Sequence, residues 1–223
     1  MYSGGVMTNL DTLGDPYTFS SIGTGINASG EVVGYGAHMG LGGPIWHAFL
    51  YTGSGWTDLG TLGGSGSWAT GINASGQVVG YSDAISPRTP AAFLYSNGAM
   101  TNLGALGCSG TTCYSYAYGI NDSGEVVGVS SSFAPFAPAH AFLYSGGIML
   151  DLNSLLPANS GWVLQQAGAI NDSGQIVGYG TFDGQTHGFL LDTGSPIPEP
   201  SSLPLLSAGL ALVATMRRRK TAH

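Results

Sequence analysis

GINASGEVVGYG (Gly25–Gly36), GINASGQVVGYS (Gly71–Ser82), GINDSGEVVGVS (Gly119–Ser130) and AINDSGQIVGYG (Ala169–Gly180) are one segment written four times. Each copy reads as a β-hairpin. Gly-Ile-Asn ends an incoming strand, Asn-Ala/Asp-Ser-Gly is the turn, and Val-Val-Gly-Tyr opens the outgoing strand. The asparagine side chain bonds the backbone two residues on, and glycine takes a positive φ without steric cost. Asn27, Asn73, Asn121 and Asn171 therefore open four equivalent turns, and Gly30, Gly76, Gly124 and Gly174 hold their left-handed positions. The outgoing strands are apolar on both faces (Val32/Val33, Val78/Val79, Val126/Val127, Ile176/Val177), which calls for strands covered on both sides.

The turn asparagines are spaced by 46, 48 and 50 residues. Other short segments recur with them. Upstream stand Val6–Leu10, Trp56–Leu59, Met100–Leu103 and Met149–Leu152; downstream stand His47–Tyr51, Ala91–Tyr95, His140–Tyr144 and His187–Leu191. One repeat thus holds four short strands, and such a unit recurring every 40–50 residues or so is the mark of a propeller blade. A single sheet cannot cover both its faces, whereas stacked sheets can.

The expected fold is all-β, with repeated four-stranded, β-propeller-like units over residues 1–194. The units are drawn at about 2–51, 52–95, 96–144 and 145–192. The strand Phe189–Leu191 beside Val6–Leu10 would close the ring; an open solenoid or a stack of hairpins is the alternative. Strand glycines Gly34, Gly80, Gly128 and Gly178 are expected where neighbouring blades approach closely. The segments Gly36–Pro44, Asp83–Pro90 and Ser131–Pro138 read as variable loops between blades, where repeat proteins usually carry function.

The ends differ from the middle. Met1–Met7 aligns with Leu143–Met149, so the first residue falls inside a repeat, as in a fragment or a reading frame with an internal start. No charged and apolar leader follows it. Residues 195–202 form a Pro-rich linker. Residues 203–223 hold an apolar run, Leu203–Met216, followed at once by Arg217, Arg218, Arg219 and Lys220. This reads as a C-terminal membrane segment, somewhat short of the roughly 20 residues of a full span. The basic block would stay on the cytoplasmic side and leave the repeats outside.

Only 8% of the residues are charged and 38 are glycine. Residues 1–195 hold one cation, Arg88, against eleven Asp and Glu. Binding of a phosphate backbone needs Lys and Arg, so nucleic acid is excluded as a partner. Cys108 and Cys113 flank a short loop that a disulfide would close in an oxidising compartment; two free thiols are the alternative. A zinc site normally takes four ligands, and the chain has no third cysteine.

The repeated His-Ala-Phe-Leu-Tyr and Gly-Ile-Asn-x-Ser-Gly-x-Val-Val-Gly segments resemble the HAF family of bacterial extracellular repeats. The resemblance covers nearly all of residues 2–192, with departures at Ala91, Gly188 and Leu191. The tail is similar to a PEP-CTERM sorting signal: Pro198-Glu199-Pro200, the apolar run, and Arg217–Lys220. The resemblance implies export, a transient inner-membrane anchor, handling by a membrane exosortase, cleavage near the tripeptide, and association with exopolysaccharide or biofilm matrix. The absence of a leader departs from that pattern.

The catalytic and metal-binding vocabulary is thin. His47, His140 and His187 are equivalent in three repeats and would either converge on a metal or tether strand ends to neighbouring turns by hydrogen bonds. Ala91 in the remaining repeat favours the tether. The turns lack the several carboxylates calcium requires, since Ala28 and Ala74 occupy two of them. Asp83 and Asp183 occupy comparable positions after the hairpins and are candidates for paired-carboxylate glycoside chemistry. No GxSxG, P-loop or HExxH pattern is present. Trp46, Trp68, Tyr114, Tyr116, Tyr118 and Trp162 either stack on sugar rings or pack blades together. The leading expectation is a non-enzymatic structural or binding module of the cell surface or matrix, with no metal and no cofactor and with envelope polysaccharide as a partner. The alternatives are a polysaccharide hydrolase or lyase on the same scaffold, and a truncated fragment that is not exported.

Overall fold

In a computed structural model the described residues are 2–3, 6–7, 18–40, 43–84, 89–107, 113–132 and 137–194. The chain divides into two units, Met1–Asp192 and Thr193–His223, and the described structure falls almost wholly in the first. That unit is all-β. A short hairpin pairs β1 (Tyr2–Ser3) with β2 (Val6–Met7). Four antiparallel sheets follow. The first is β3 (Thr18–Ile26), β4 (Val32–Gly40), β5 (Gly43–Tyr51) and β6 (Trp56–Asp58). The second is β7 (Gly63–Ile72), β8 (Val78–Ala84), β9 (Pro90–Ser96) and β10 (Ala99–Asn102). The third is β11 (Cys113–Ile120), β12 (Val126–Ser132), β13 (His140–Ser145) and β14 (Ile148–Asp151). The fourth is β15 (Trp162–Ile170), β16 (Gln175–Phe182) and β17 (Gln185–Asp192). A 3-10 turn, Leu152–Leu155, links the last two sheets and is capped by the Asp151 carboxylate.

Each sheet packs its face on the first strand of the next. β7 lies against β3, β4 and β5; β11 against β7, β8 and β9; β15 against β11, β12 and β13. Three apolar clusters fill the junctions, and each is drawn from two successive sheets. Val33, Ala48 and Leu59 meet Ala69, Val78 and Phe93. Val79, Ala92 and Leu103 meet Ala117, Val126 and Phe142. Val127, Ala141, Leu143 and Leu152 meet Leu164, Ala167 and Ile176. In the second and third repeats the two adjacent valines, Val78/Val79 and Val126/Val127, serve opposite junctions, whereas only Val33 of the first pair and only Ile176 of the last are packed in a junction cluster. Burying one such Val or Phe contributes roughly 1.5–3 kcal/mol.

Buried hydroxyls stitch the same junctions. Ser67 Oγ accepts from Ala48 N and donates to the Gly60 carbonyl; Ser115 Oγ accepts from Ala92 N and donates to Gly104. Asn153 takes this role at the third junction, accepting from Leu164 N and donating to its carbonyl.

The sheets depart from the sequence expectation in four ways. First, they are cut one strand later than the repeat drawn above. Trp56–Asp58 pairs with Phe49–Tyr51 of the preceding segment, and β10 and β14 likewise complete the sheets before them. The turn after Phe-Leu-Tyr is tight, so the next short strand folds straight back on it. Second, no closed ring is found among the described residues: β17 pairs with β16 and β2 with β1, and no packing of comparable extent joins the fourth sheet to the first, while residues 8–10 of the expected closing strand lie outside them. Third, Gly34, Gly80, Gly128 and Gly178 serve close approach within a sheet: a Cβ there would overlap the carbonyl of Ile22, Trp68, Tyr116 or Gln166 on the adjacent strand. The glycines at the contacts between sheets are Gly25, Gly71 and Gly119, where a Cβ would lie 3.5 Å from the Gly71 Cα, 3.4 Å from the Tyr118 carbonyl oxygen and 3.0 Å from the Ala169 Cα of the next sheet. Fourth, Gly36–Pro44 is mostly strand, because β4 runs to Gly40 and β5 starts at Gly43.

No helix among the described residues is long and apolar enough to cross a membrane. The expected membrane segment, 203–216, lies outside them, as do Pro198, Glu199, Pro200 and Arg217–Lys220.

Candidate functional site

The first strand of each sheet carries a β-bulge at one repeated place: Gly23/Gly25, Ala69/Gly71, Ala117/Gly119 and Ala167/Ala169. A bulge re-aims the side chains around it. In the first two sheets the bulged residue is a threonine that reaches the neighbouring sheet: Thr24 Oγ1 donates to the Ala69 carbonyl at 2.8 Å and Thr70 Oγ1 to Ala117 at 2.9 Å.

Beyond the bulges the strands deliver the turns. Gly30, Gly76, Gly124 and Gly174 have φ of 79°, 76°, 80° and 76°. Each turn asparagine is a hub. Asn73 Oδ1 accepts from Gln77 N, and its Nδ2 donates to Gln77 Oε1 and to the Asn121 carbonyl of the next sheet at 3.0 Å. Asn27 and Asn121 repeat the pattern, donating to the carbonyls of Asn73 and Asn171. Two aspartates add a second rung: Asp122 accepts from Ala74 N and Asp172 from Asp122 N, each at 2.8 Å. The four turns line an open cavity of about 310 Å³, together with Ile72, Ile120 and Ile170 at the strand ends before them.

A second feature lies on the strands themselves. Trp46 meets Tyr35 edge-on at 5.7 Å, and Trp68 stacks on Tyr81 at 5.1 Å. Tyr81 meets Tyr116 at 4.8 Å, and Tyr116 lies 5.5 Å from Tyr114 and 6.4 Å from Tyr118. All seven are partly exposed. Burial, followed by neighbouring tyrosines, pushes the Tyr118 phenol up to about 12; Tyr81 and Tyr116 are raised for the same first cause, with Asp83 adding to both. These hydroxyls therefore remain protonated donors throughout the physiological range. Five of the six aromatics named from the sequence belong to this cluster. Trp162 does not, and packs with Phe182 and His187 instead. Tyr35 and Tyr81 were missed as members; the signal was the tyrosine recurring after Val-Val-Gly.

The histidines do not come together. His47 Nδ1 lies 2.8 Å from Asp58 Oδ2, and His140 Nδ1 lies 2.6 Å from Asp151 Oδ2; each pair ties the third strand of a sheet to its fourth. The partner is thus a strand aspartate of the same sheet, not a neighbouring turn. In the second sheet Ala91 replaces the histidine, and the partner position holds uncharged Asn102. Among the described residues His187 has no fourth strand beside it, and it contacts aromatic rings. Among the described residues no group of three or more metal-ligating side chains is found.

Asp83, next to last in β8, accepts from Ser65 Oγ at 2.9 Å and lies near Tyr81 and Tyr116 of the cluster. Asp183, with φ of 49°, occupies the turn between β16 and β17 in another sheet. Cys113 is disulfide-bonded, and Cys108 lies outside the described residues.

Two family models match the chain. One, described as a protein of unknown function (DUF3466), covers residues 6–183. The other, the PEP-CTERM protein-sorting motif, covers residues 196–220 and so includes Pro198-Glu199-Pro200 and the basic block. The motif implies an exported protein, recognised by an exosortase-type membrane enzyme and transiently anchored in the membrane before processing. No curated protein matches the chain.

Proposed function

The chain belongs to the DUF3466 family, a family of unknown function, and we propose that it is a non-enzymatic binding module of the cell surface or exopolysaccharide matrix. In this reading its HAF-type repeats form a propeller-like series of sheets, set free when the tail is cut near Pro198–Pro200. The observation that carries it is the partly exposed aromatic cluster of Trp46, Tyr35, Trp68, Tyr81, Tyr116, Tyr114 and Tyr118. Flat rings beside protonated hydroxyls supply what a sugar ring needs: an apolar face to stack on and donors at its edge. The sorting motif supports delivery of such a module outside the cell.

Calorimetry with purified envelope polysaccharide fractions tests the reading, with tryptophan fluorescence as a second readout. Trp68→Ala and Tyr116→Ala should each weaken binding about tenfold, the upper end of what a stacked aromatic contributes. If no native glycan fraction binds, the matrix role is wrong. Turnover of a glycan without any loss on changing these rings would replace it with an enzyme. The intact mass of the protein from its native cells tests release: a chain ending near Pro200 is expected, and an unprocessed chain in the cytosol refutes it.

A further inference from the structure

We propose that the exposed faces of the first and fourth sheets bind each other between two copies of this chain, head to tail, by the same junction the chain builds three times within itself.

The junction has a repeated composition. The forward face of each sheet presents a register pair, Val33 with Leu50, Val79 with Leu94 and Val127 with Leu143, and all three pairs are packed against the next sheet. In the fourth sheet the equivalent pair is Val177 with Leu190. Val33, Val79 and Val127 are fully buried, whereas Val177 is 45% exposed and Leu190 66%. The backward face shows the same deficit at the other end. Ile72, Ile120 and Ile170 pack into junction clusters, while Ile26 is 69% exposed.

Among the described residues the asparagine ladder runs from Asn27 to Asn171 and goes no further. Asn27, Asn73 and Asn121 each donate across a junction to the next turn carbonyl. Asn171 reaches Gln175 within its own turn, and the next carbonyl in the series would be that of Asn27 in a following copy. The two faces are therefore complementary to each other and not to themselves, which makes the contact heterologous. Ala169 stands where the other repeats have glycine. Its Cβ would face Gly25; a Cβ in this place would lie 3.5 Å from the facing backbone at the first junction, 3.4 Å at the second and 3.0 Å at the third, so the contact needs at most a shift of a few tenths of an ångström. Two such junctions join two copies into one assembly of eight sheets, within the four to eight or so blades of propellers.

Sedimentation of the full chain, with mild detergent to disperse residues 203–216, tests the proposal through its polarity. The unaltered chain should associate at micromolar concentration. Leu190→Glu removes one face and Ile26→Glu the other; both residues are exposed, so each variant should fold and sediment as a monomer. An equimolar mixture of the two retains one intact junction and should form a one-to-one dimer. A monomeric unaltered chain overturns the proposal, as does association that survives Leu190→Glu or a mixture that stays monomeric while circular dichroism shows both variants folded.

Discussion

The four turns have nearly the same sequence, yet their asparagines should differ in worth, and Asn73→Ala against Asn171→Ala measures the difference. Asn73 is 3% exposed and makes four side-chain hydrogen bonds, to Gln77 N, Ser75 Oγ, Gln77 Oε1 and the Asn121 carbonyl. Asn171 is exposed and makes three, all within its own turn. A typical hydrogen bond contributes about 1 kcal/mol net, and a buried partner left unsatisfied costs more. Four bonds lost, with some partners regaining water, gives about 3 kcal/mol for Asn73→Ala. At Asn171 water replaces most of what is lost, and the cost is about 1 kcal/mol. For a domain of this size 1 kcal/mol moves Tm by roughly 2–4 °C. The two variants should therefore melt about 4–8 °C apart in a thermal scan followed by circular dichroism, with urea midpoints in the same order. Equal costs would mean that the turns act locally and that the asparagine ladder between sheets contributes nothing.

Asn121→Asp places a carboxylate where Nδ2 now donates to Glu125 Oε2 at 2.7 Å, so it should destabilise more than Asn73→Asp, whose neighbour Gln77 can turn its amide. The excess should vanish in the Glu125→Gln background, as urea titration would show. Tyr118 is raised to about 12 by burial, so its folded form holds the proton above the pKa of an unfolded tyrosine. Its contribution is complete below about pH 10 and is lost as pH rises toward 12; the ultraviolet phenolate titration should be biphasic, and Tyr118→Phe should reduce the late phase. His140→Ala leaves the Asp151 carboxylate with only its bonds from Asn153, and adding Asp151→Asn recreates the natural pair Ala91 and Asn102. A double-mutant cycle should give a coupling below about 1 kcal/mol, because both side chains are partly exposed.

Much of the fold was legible because its signals are local. Asn-x-Ser-Gly fixes a turn by side-chain chemistry within five residues, and Val-Val implies two covered faces wherever it lies. The assignment of Trp56–Asp58 to the sheet before it was not legible, since a short strand between two hydrophobic segments has equal claim to either. Whether the sheets close a ring was not legible for a similar reason: pattern gives the number of sheets but not the angle between them. In the candidate site, the loop and strand aromatics were visible as residue types. Their union with Tyr35 and Tyr81 depends on register, which sets Trp68 opposite Tyr81, and on the packing of one sheet on the next, which brings Tyr81 to Tyr116. The histidine tethers were half legible. Tethering was readable from Ala91, but the aspartate partner became evident only once β5 and β6 were seen to pair.

Charge sharpens the ligand that the proposed binding role would select. Residues 1–195 carry Arg88 against eleven acids, which leaves a formal charge of 1 − 11 = −10, and the four cations of the tail lie beyond the sorting tripeptide. Processing near Pro200 would therefore strip the basic block and leave a strongly anionic module. Asp83 stands beside the tyrosine cluster as well. An acidic polysaccharide would meet repulsion at long range and again at the rings, whereas a neutral one would meet only stacking and protonated hydroxyls. Screening works over about 10 Å at moderate salt, so the two classes should respond oppositely. Neutral glycans should bind with an affinity that changes less than twofold or so between low and moderate salt, and uronate-containing glycans should bind more weakly but gain as salt rises. Calorimetry at two salt concentrations reads both. Tighter binding of the acidic glycan, weakened by salt, would require a cationic surface that the first 195 residues do not have and would remove the aromatic cluster as the site.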